Sequence, residues 1–116
     1  MKIAKKQVNR INSECQNNWE FDLYYFVCHS EKTLIKQVEL NNTCYLQFRL
    51  EYNSRNQIIL HMSRYTKIDN DIAISTGLGK FKILSEIAEP RKITSKLVNY
   101  TAELTNERLL EISKHI

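Results

Sequence analysis

Gly77 and Gly79 are the only two glycines in the chain, and Lys80 stands directly behind them in DIAISTGLGKFKIL, residues 71–84. Backbone amides bared by glycine beside a lysine are the parts of a phosphate-gripping loop. A P-loop, however, needs G-x-x-x-x-G-K followed by Ser or Thr, whose hydroxyl binds magnesium. Here the spacing is G-x-G-K and Phe81 follows the lysine. The dinucleotide fingerprint fails as well, for want of a third glycine and a strand–turn–helix unit. The pattern predicts a tight loop between two short strands, each glycine reaching positive φ. Such a loop could touch a phosphate or a protein surface, with Lys80 and Lys82 as anchors.

A second set of residues suggests acid–base chemistry. His61, Arg64 and Tyr65 lie close together, and Glu51 falls on a neighbouring predicted strand. A small basic ribonuclease can use such groups as acid, base and phosphate clamp. Strand alternation argues against this set, because His61 and Arg64 point to opposite faces of a regular strand. His29, in a predicted turn, and His115, at the tail, supply no obvious partner. A third set, Cys28, His29, Cys44 and His61, could be imagined around zinc, but the short ligand spacings of structural zinc sites are missing. No catalytic residue, metal or cofactor is therefore expected.

These side chains need elements to carry them. Residues 2 to about 16 read as an amphipathic helix, with Ile3, Val8, Ile11 and Cys15 as its apolar stripe. Lys2, Lys6 and Arg10 are four apart and share one face. From Trp19 the pattern turns to alternation: Trp19, Phe21, Leu23, Tyr25 and Val27 against Glu20, Asp22 and Tyr24, which predicts a strand. "HSEK", "NNT" and "NSRN" are turns. Between and after them, Leu34, Val38 and Leu40 (interrupted by Lys36), then Cys44 to Tyr52, then Ile58, Leu60 and Met62 alternate again. The result is an antiparallel meander of four or five strands, apolar on one face and wet on the other; the fifth would lie around the glycines, where ILSEIAE equally reads as one turn of helix stopped by Pro90. Tyr24, Tyr45, Gln47, Arg49, His61 and Tyr65 fall on the wet face. Tyr45, Arg49 and His61 there are candidate contacts, since aromatics interleaved with basic groups can stack bases.

A sheet cannot hide its apolar face alone, so the two ends of the chain must cover it. After Pro90 the sequence reads as helix. Val98, Ala102, Leu109, Ile112 and Ile116 form one stripe, with Leu97 and Leu104 beside it. Thr105 is a candidate N-cap that would split the segment, although a continuous or kinked helix is the favoured expectation. The fold class expected is α+β in a single domain, residues 1–116.

Length and composition agree. With 116 residues, 42% hydrophobic and 26% charged, the chain is sized and balanced for one globular domain. No apolar run reaches the ~20 residues that span a bilayer, and the basic start MKIAKKQVNR lacks the apolar core of a secretory signal. Three cysteines, an odd number without a C-x-x-C pair, fit a reducing cytoplasm. The net charge of +4 favours anionic partners. It is concentrated in Lys2, Lys6 and Arg10, and in Lys80, Lys82, Arg91 and Lys92.

A small helix–meander–helix domain rich in Ile, Asn, Lys and Tyr resembles accessory proteins of phages and mobile elements in low-GC Gram-positive bacteria. Among these it is similar in style to the small anti-CRISPR proteins that disable the Cas9 nuclease. The likeness is one of composition and architecture and carries no motif, so no family residue transfers. It implies a non-enzymatic inhibitor in the bacterial cytoplasm that blocks assembly or target loading. A chain of +4 suits the guide RNA, or an acidic or apolar protein patch, better than imitation of DNA. Two other classes stay open: a free-standing nucleic-acid-binding protein and a small ribonuclease toxin. An open sheet edge could also pair with a second copy.

Overall fold

The computed structural model describes residues 5–77 and 79–115. In chain order the elements are α1 (Lys5–Glu14), β1 (Glu20–Phe21), α2 (Leu23–His29), β2 (Thr33–Glu39), β3 (Cys44–Tyr52), β4 (Ile58–Lys67), β5 (Ala73–Ser75), β6 (Lys80–Ser85), a 3₁₀ turn at Pro90–Lys92, α3 (Ile93–Glu103) and α4 (Asn106–Ser113). Every strand pairing is antiparallel and the path runs β1-β2-β3-β4-β5, with β6 also on β4. The α+β class expected from the alternation is the one observed.

The hairpins form where asparagine allows them. Asn41 Oδ1 accepts the amides of Thr43 and Cys44, closing the β2–β3 turn. Asn53 Oδ1 accepts those of Arg55 and Gln57, and Asn56 takes the left-handed conformation at φ 61° that closes β3–β4. One face of the meander carries Leu34, Val38, Leu46, Phe48, Leu50, Ile58 and Leu60, all buried. The helices seal it with Ile11, Phe26, Ile93, Leu97, Leu104, Leu109 and Ile112.

The expected first strand is the main correction. The alternation from Trp19 to Val27 yields only the two residues of β1, and the chain then coils into α2. Asp22 is the cause: its carboxylate accepts the Tyr25 amide at 3.0 Å as an N-cap, and Ser30, left-handed at φ 55°, ends the helix. Phe26 thereby turns into the core against Phe21, with ring centroids 5.7 Å apart. Leu23, Tyr24 and Val27 stay exposed.

The C-terminal segment is split rather than continuous. Leu104 leaves the helix, and Thr105 caps α4 by accepting the Arg108 amide at 3.2 Å. The break rotates the buried stripe onto Ile93, Leu97 and Thr101 of α3 and Leu109 and Ile112 of α4, while Ala102 faces solvent. Ile116 lies outside the described residues, as do Lys2 and Ile3 of the expected N-terminal stripe.

Trp19 fastens this break to the other end of the chain. Its indole is 3% exposed and its Nε1 donates to the Leu104 carbonyl at 3.1 Å. Nearby, the Gln16 amide donates to Thr101 Oγ1 and Asn17 Nδ2 to the Thr101 carbonyl. Trp19→Phe keeps an aromatic ring but leaves the space of the lost pyrrole and orphans the Leu104 carbonyl, so we expect a loss of about 1–3 kcal/mol or more in urea unfolding.

Lys36, which breaks the apolar alternation of β2, is 4% exposed on the core face. Its Nζ donates to the Asn17 carbonyl, which Asn17 presents from a left-handed turn at φ 56°. Burial holds the Lys36 pKa below its ordinary value. The folded chain therefore binds fewer protons than the unfolded chain between the lowered pKa and the ordinary lysine value. Across that alkaline window the Lys36 contribution to stability rises with pH, against the falling contribution of Cys15, whose thiol burial pushes up to about 11. We expect Lys36→Met to remove the rising contribution, so that stability falls more steeply with pH than in wild type. At neutral pH it should change stability by only about 1 kcal/mol, because relief of a desolvated charge offsets the unpartnered Asn17 carbonyl. Urea midpoints measured across the alkaline range check both statements.

Candidate functional site

Neither glycine has positive φ, which corrects the expectation for the loop at 77–79. β5 and β6 run end to end along the same edge of β4. Ser75 pairs with Tyr65 and Lys80 with Met62, so four residues on this edge face two on β4. The loop is a bulge in an interrupted edge strand. Gly77 is needed for close approach: a Cβ there would come within 3.3 Å of Arg64 Cβ. Nothing in this geometry forms a phosphate cradle.

The wet face of the meander is where the chemistry gathers. Register places side chains in rows across β2, β3, β4 and the β5–β6 edge: Thr33–Glu51–Ile59–Ile83, then Ile35–Arg49–His61–Phe81, then Gln37–Gln47–Ser63, then Glu39–Tyr45–Tyr65–Ser75. Gln47, Arg49, Glu51, His61, Ser63 and Tyr65 line one shallow cavity of about 110 Å³. α2 overhangs the Glu51 end of these rows, and the remainder is open.

Under the overhang, His61 Nε2 lies 3.5 Å from Glu51 Oε2, with the Glu51 side chain 14% and the His61 side chain 35% exposed. Burial pushes the Glu51 carboxyl above its ordinary value, against the pull of His61, Arg49 and His29. Arg49 reaches Asp22 Oδ2 at 3.4 Å and lies 4.6 Å above the Tyr25 ring. His29 is the other partner of the Tyr25 ring, tilted against it by 39° with centroids 4.4 Å apart. The His61 ring rests against Phe81 at 5.9 Å. Among the described residues two buried side-chain atoms, Thr33 Oγ1 and Arg49 Nε, have no hydrogen-bond partner, and both belong to these rows. Each orphan costs about 1–3 kcal/mol, and such atoms collect where a site has work besides stability.

At the open end, Tyr45 and Tyr65 lie nearly parallel, 5.2 Å apart between centroids at 6°. Lys67 Nζ stands 5.8 Å from the Tyr45 ring and bonds Glu39 at 2.9 Å. Burial raises the Tyr45 hydroxyl above its ordinary range, so the phenol is neutral at any physiological pH.

The residues expected to act through charge are scattered. Arg10 pairs with Glu14 at 3.3 Å on α1 and lines a larger cleft of about 790 Å³ with Ile11, Phe26, Lys32 and Ile93. Arg91 and Lys92 lie in the exposed 3₁₀ turn, Lys92 3.8 Å from Glu89. Lys80 and Lys82 pair with Met62 and Leu60, which puts them on the helix-facing side of the outer edge, away from the open face. Lys6 is exposed on α1, and Lys2 lies outside the described residues. Arg10 and Pro90, the first residue of the 3₁₀ turn that carries Arg91 and Lys92, line the same cleft.

Tyr45, Arg49 and His61 do share the open face. Arg64 does not: it bonds Cys44 on the opposite side, where it draws that thiol below its ordinary pKa. The four imagined zinc ligands are likewise divided, with Cys28 and His29 on α2, Cys44 facing the helix side and His61 the open side. Among the described residues no three His, Cys, Asp or Glu side chains cluster as a metal site. Sequence reasoning missed Asp22, Tyr25 and His29, because it placed them on a strand or a turn. The D-x-x-Y spacing of an N-cap was the signal that could have found them.

No family model matches the chain, and comparisons with curated proteins and with solved structures give no match. The class that fold and site define is an antiparallel meander with α1, α3 and α4 packed on one face and a polar–aromatic face on the other that is open beyond its contact with α2. Among the described residues no helix is long and apolar enough to cross a membrane.

Proposed function

We propose that this is a binding protein for single-stranded RNA presented by a nucleoprotein, and that the open sheet face is the contact. The observation that carries the reading is the parallel Tyr45–Tyr65 pair at 5.2 Å, in line along the strands with Arg49 over Tyr25 at 4.6 Å. Aromatic rings on an uncovered sheet stack bases without regard to sequence, and a guanidinium beside them holds a phosphate. The cavity walls between them, Gln47 and Ser63, offer hydrogen bonds to base edges. Lys67 extends the strip, and the net charge of +4 favours an anionic strand. Guide RNA held by Cas9 is the form of this target that the anti-CRISPR likeness suggests.

Anisotropy with a labelled 12-nucleotide RNA tests the contact directly. Affinity should fall with salt with a log–log slope of about −0.7 per phosphate neutralised. A pull-down with purified Cas9 should retain the protein when guide RNA is loaded and release it when the RNA is absent. Retention of neither form removes Cas9 as the target; failure to bind any single-stranded RNA overturns the reading.

A further inference from the structure

Among the described residues that line the shallow cavity of the open face, Gln47, Arg49, Glu51, His61, Ser63 and Tyr65, Glu51 alone is acidic. Its side chain is only 14% exposed, and it meets His61 Nε2 at 3.5 Å, longer than a good hydrogen bond. Among the described residues no donor makes a hydrogen bond to that carboxylate. Burial pushes the carboxyl above its ordinary value, as expected of an acid short of donors. A carboxylate has about four acceptor positions, so a ligand that brings N–H groups into the cavity satisfies what the protein leaves open. Gln47 and Ser63, on the neighbouring row, offer donors and acceptors of their own.

We infer that this cavity selects guanine among the bases of the bound strand, and that Glu51 is the residue that reads it. This rests on the RNA-binding reading and adds base specificity to that contact. Donor pattern decides which base fits. Guanine alone carries two adjacent donors on its Watson–Crick edge, N1–H and the N2 amino group, and these match the two oxygens of one carboxylate. Adenine sets its N6 amino group beside N1, an acceptor that the second carboxylate oxygen repels. Cytosine has the same fault, with N3 beside its N4 amino group. Uracil holds a single N3–H between two carbonyl oxygens, and both are repelled. Guanine O6, next to N1–H, accepts from the Gln47 amide or the Ser63 hydroxyl in the same cavity. Because the edge being read is the pairing edge, the guanine must be unpaired, as in a single strand. Tyr45 and Tyr65 stack neighbouring bases whatever their identity, and Arg49 keeps its phosphate.

Four labelled 12-nucleotide RNAs test this by anisotropy, each a run of uridines that differs from the others only in one central base, G, A, C or U. The G strand should bind about tenfold to a hundredfold more tightly than the other three, the discrimination that a bidentate base contact gives. Inosine at the central position lacks the N2 amino group and should lose most of that gain. Glu51→Gln keeps the volume but turns an amide N–H toward the guanine donors, so the ratio of G to U affinity should fall to about one. The ratio is read within one variant, so a general weakening of both strands does not imitate the effect. If the variant binds no RNA at all, the inosine strand on the wild-type protein decides. Equal affinity for all four RNAs, a preference for A, C or U, inosine bound as tightly as guanosine, or a G preference that survives in Glu51→Gln overturns the guanine inference alone. Failure of the wild-type protein to bind any of the four overturns this inference and the binding reading together.

Discussion

Phe48→Ala destabilises the protein by about 3–5 kcal/mol and leaves a substantial fraction unfolded at 37 °C. Phe48 is fully buried at the centre of β3, where register sets it between Lys36 on β2 and Met62 on β4, beneath the helices. Removing its ring subtracts the transfer free energy of the lost carbons and adds the cost of a cavity that neighbouring strands cannot close, since their backbones are locked in a ladder. A domain of this size holds about 5–15 kcal/mol in total, so the loss is a large share. Urea unfolding followed by Trp19 fluorescence measures it; a fall below 1 kcal/mol would show that this sheet–helix layer is not the core. Phe48→Leu refills most of the volume and should cost far less.

Tyr45→Ala and Tyr65→Ala, each expected to weaken RNA binding by roughly tenfold to a hundredfold, produce the second large effect. Base–aromatic stacking contributes about 1–3 kcal/mol per base, and each substitution removes one platform. Because the two rings touch, the double variant should lose less than the sum of the singles. The salt slope separates stacking from charge. It should stay unchanged in both tyrosine variants, which remove no charge, and shrink by about 0.7 in Arg49→Ala, which removes one phosphate contact. Affinity unmoved in both tyrosine variants would place the RNA elsewhere on the molecule. The stability of both variants should stay close to wild type, since cross-strand pairs on a half-exposed face contribute only about 0.2–1 kcal/mol.

The two ends of the open face are one surface under different cover. At the Tyr45 end the sheet is open, so interactions are screened and exchange with water. At the Glu51 end Asp22 and Tyr25 at the start of α2 lie against Arg49, and desolvation drives the Glu51 carboxyl upward. A seven-residue helix makes that difference, and its existence turns on Asp22.

Much of the meander was legible in the chain. β3 alternates without a fault from Cys44 to Tyr52, and Asn41, Asn53 and Asn56 mark both hairpins; period two and left-handed turns are local properties that a sequence displays directly. The open-face positions of Tyr45, Arg49 and His61 followed from the same parity. Where two local signals competed, the alternation misled. Residues 19–27 satisfy a strand pattern, yet Phe26 also satisfies a helical one from the Asp22 cap, and only the need to bury Phe26 against Phe21 chose between them. The break at Leu104 was chosen in the same way, by the buried Trp19 indole that takes its carbonyl.

By itself, then, the sequence determined the class of fold, the strands of the meander, their turns and which side chains share a face, because each depends on neighbours a few positions apart. Only the tertiary structure decided that His61 reaches Glu51, that Arg49 and not Arg64 shares their face, and that the lysines of β6 stand on the other side. Those relations join residues ten or more positions apart through strand register and helix packing, and no local period records them.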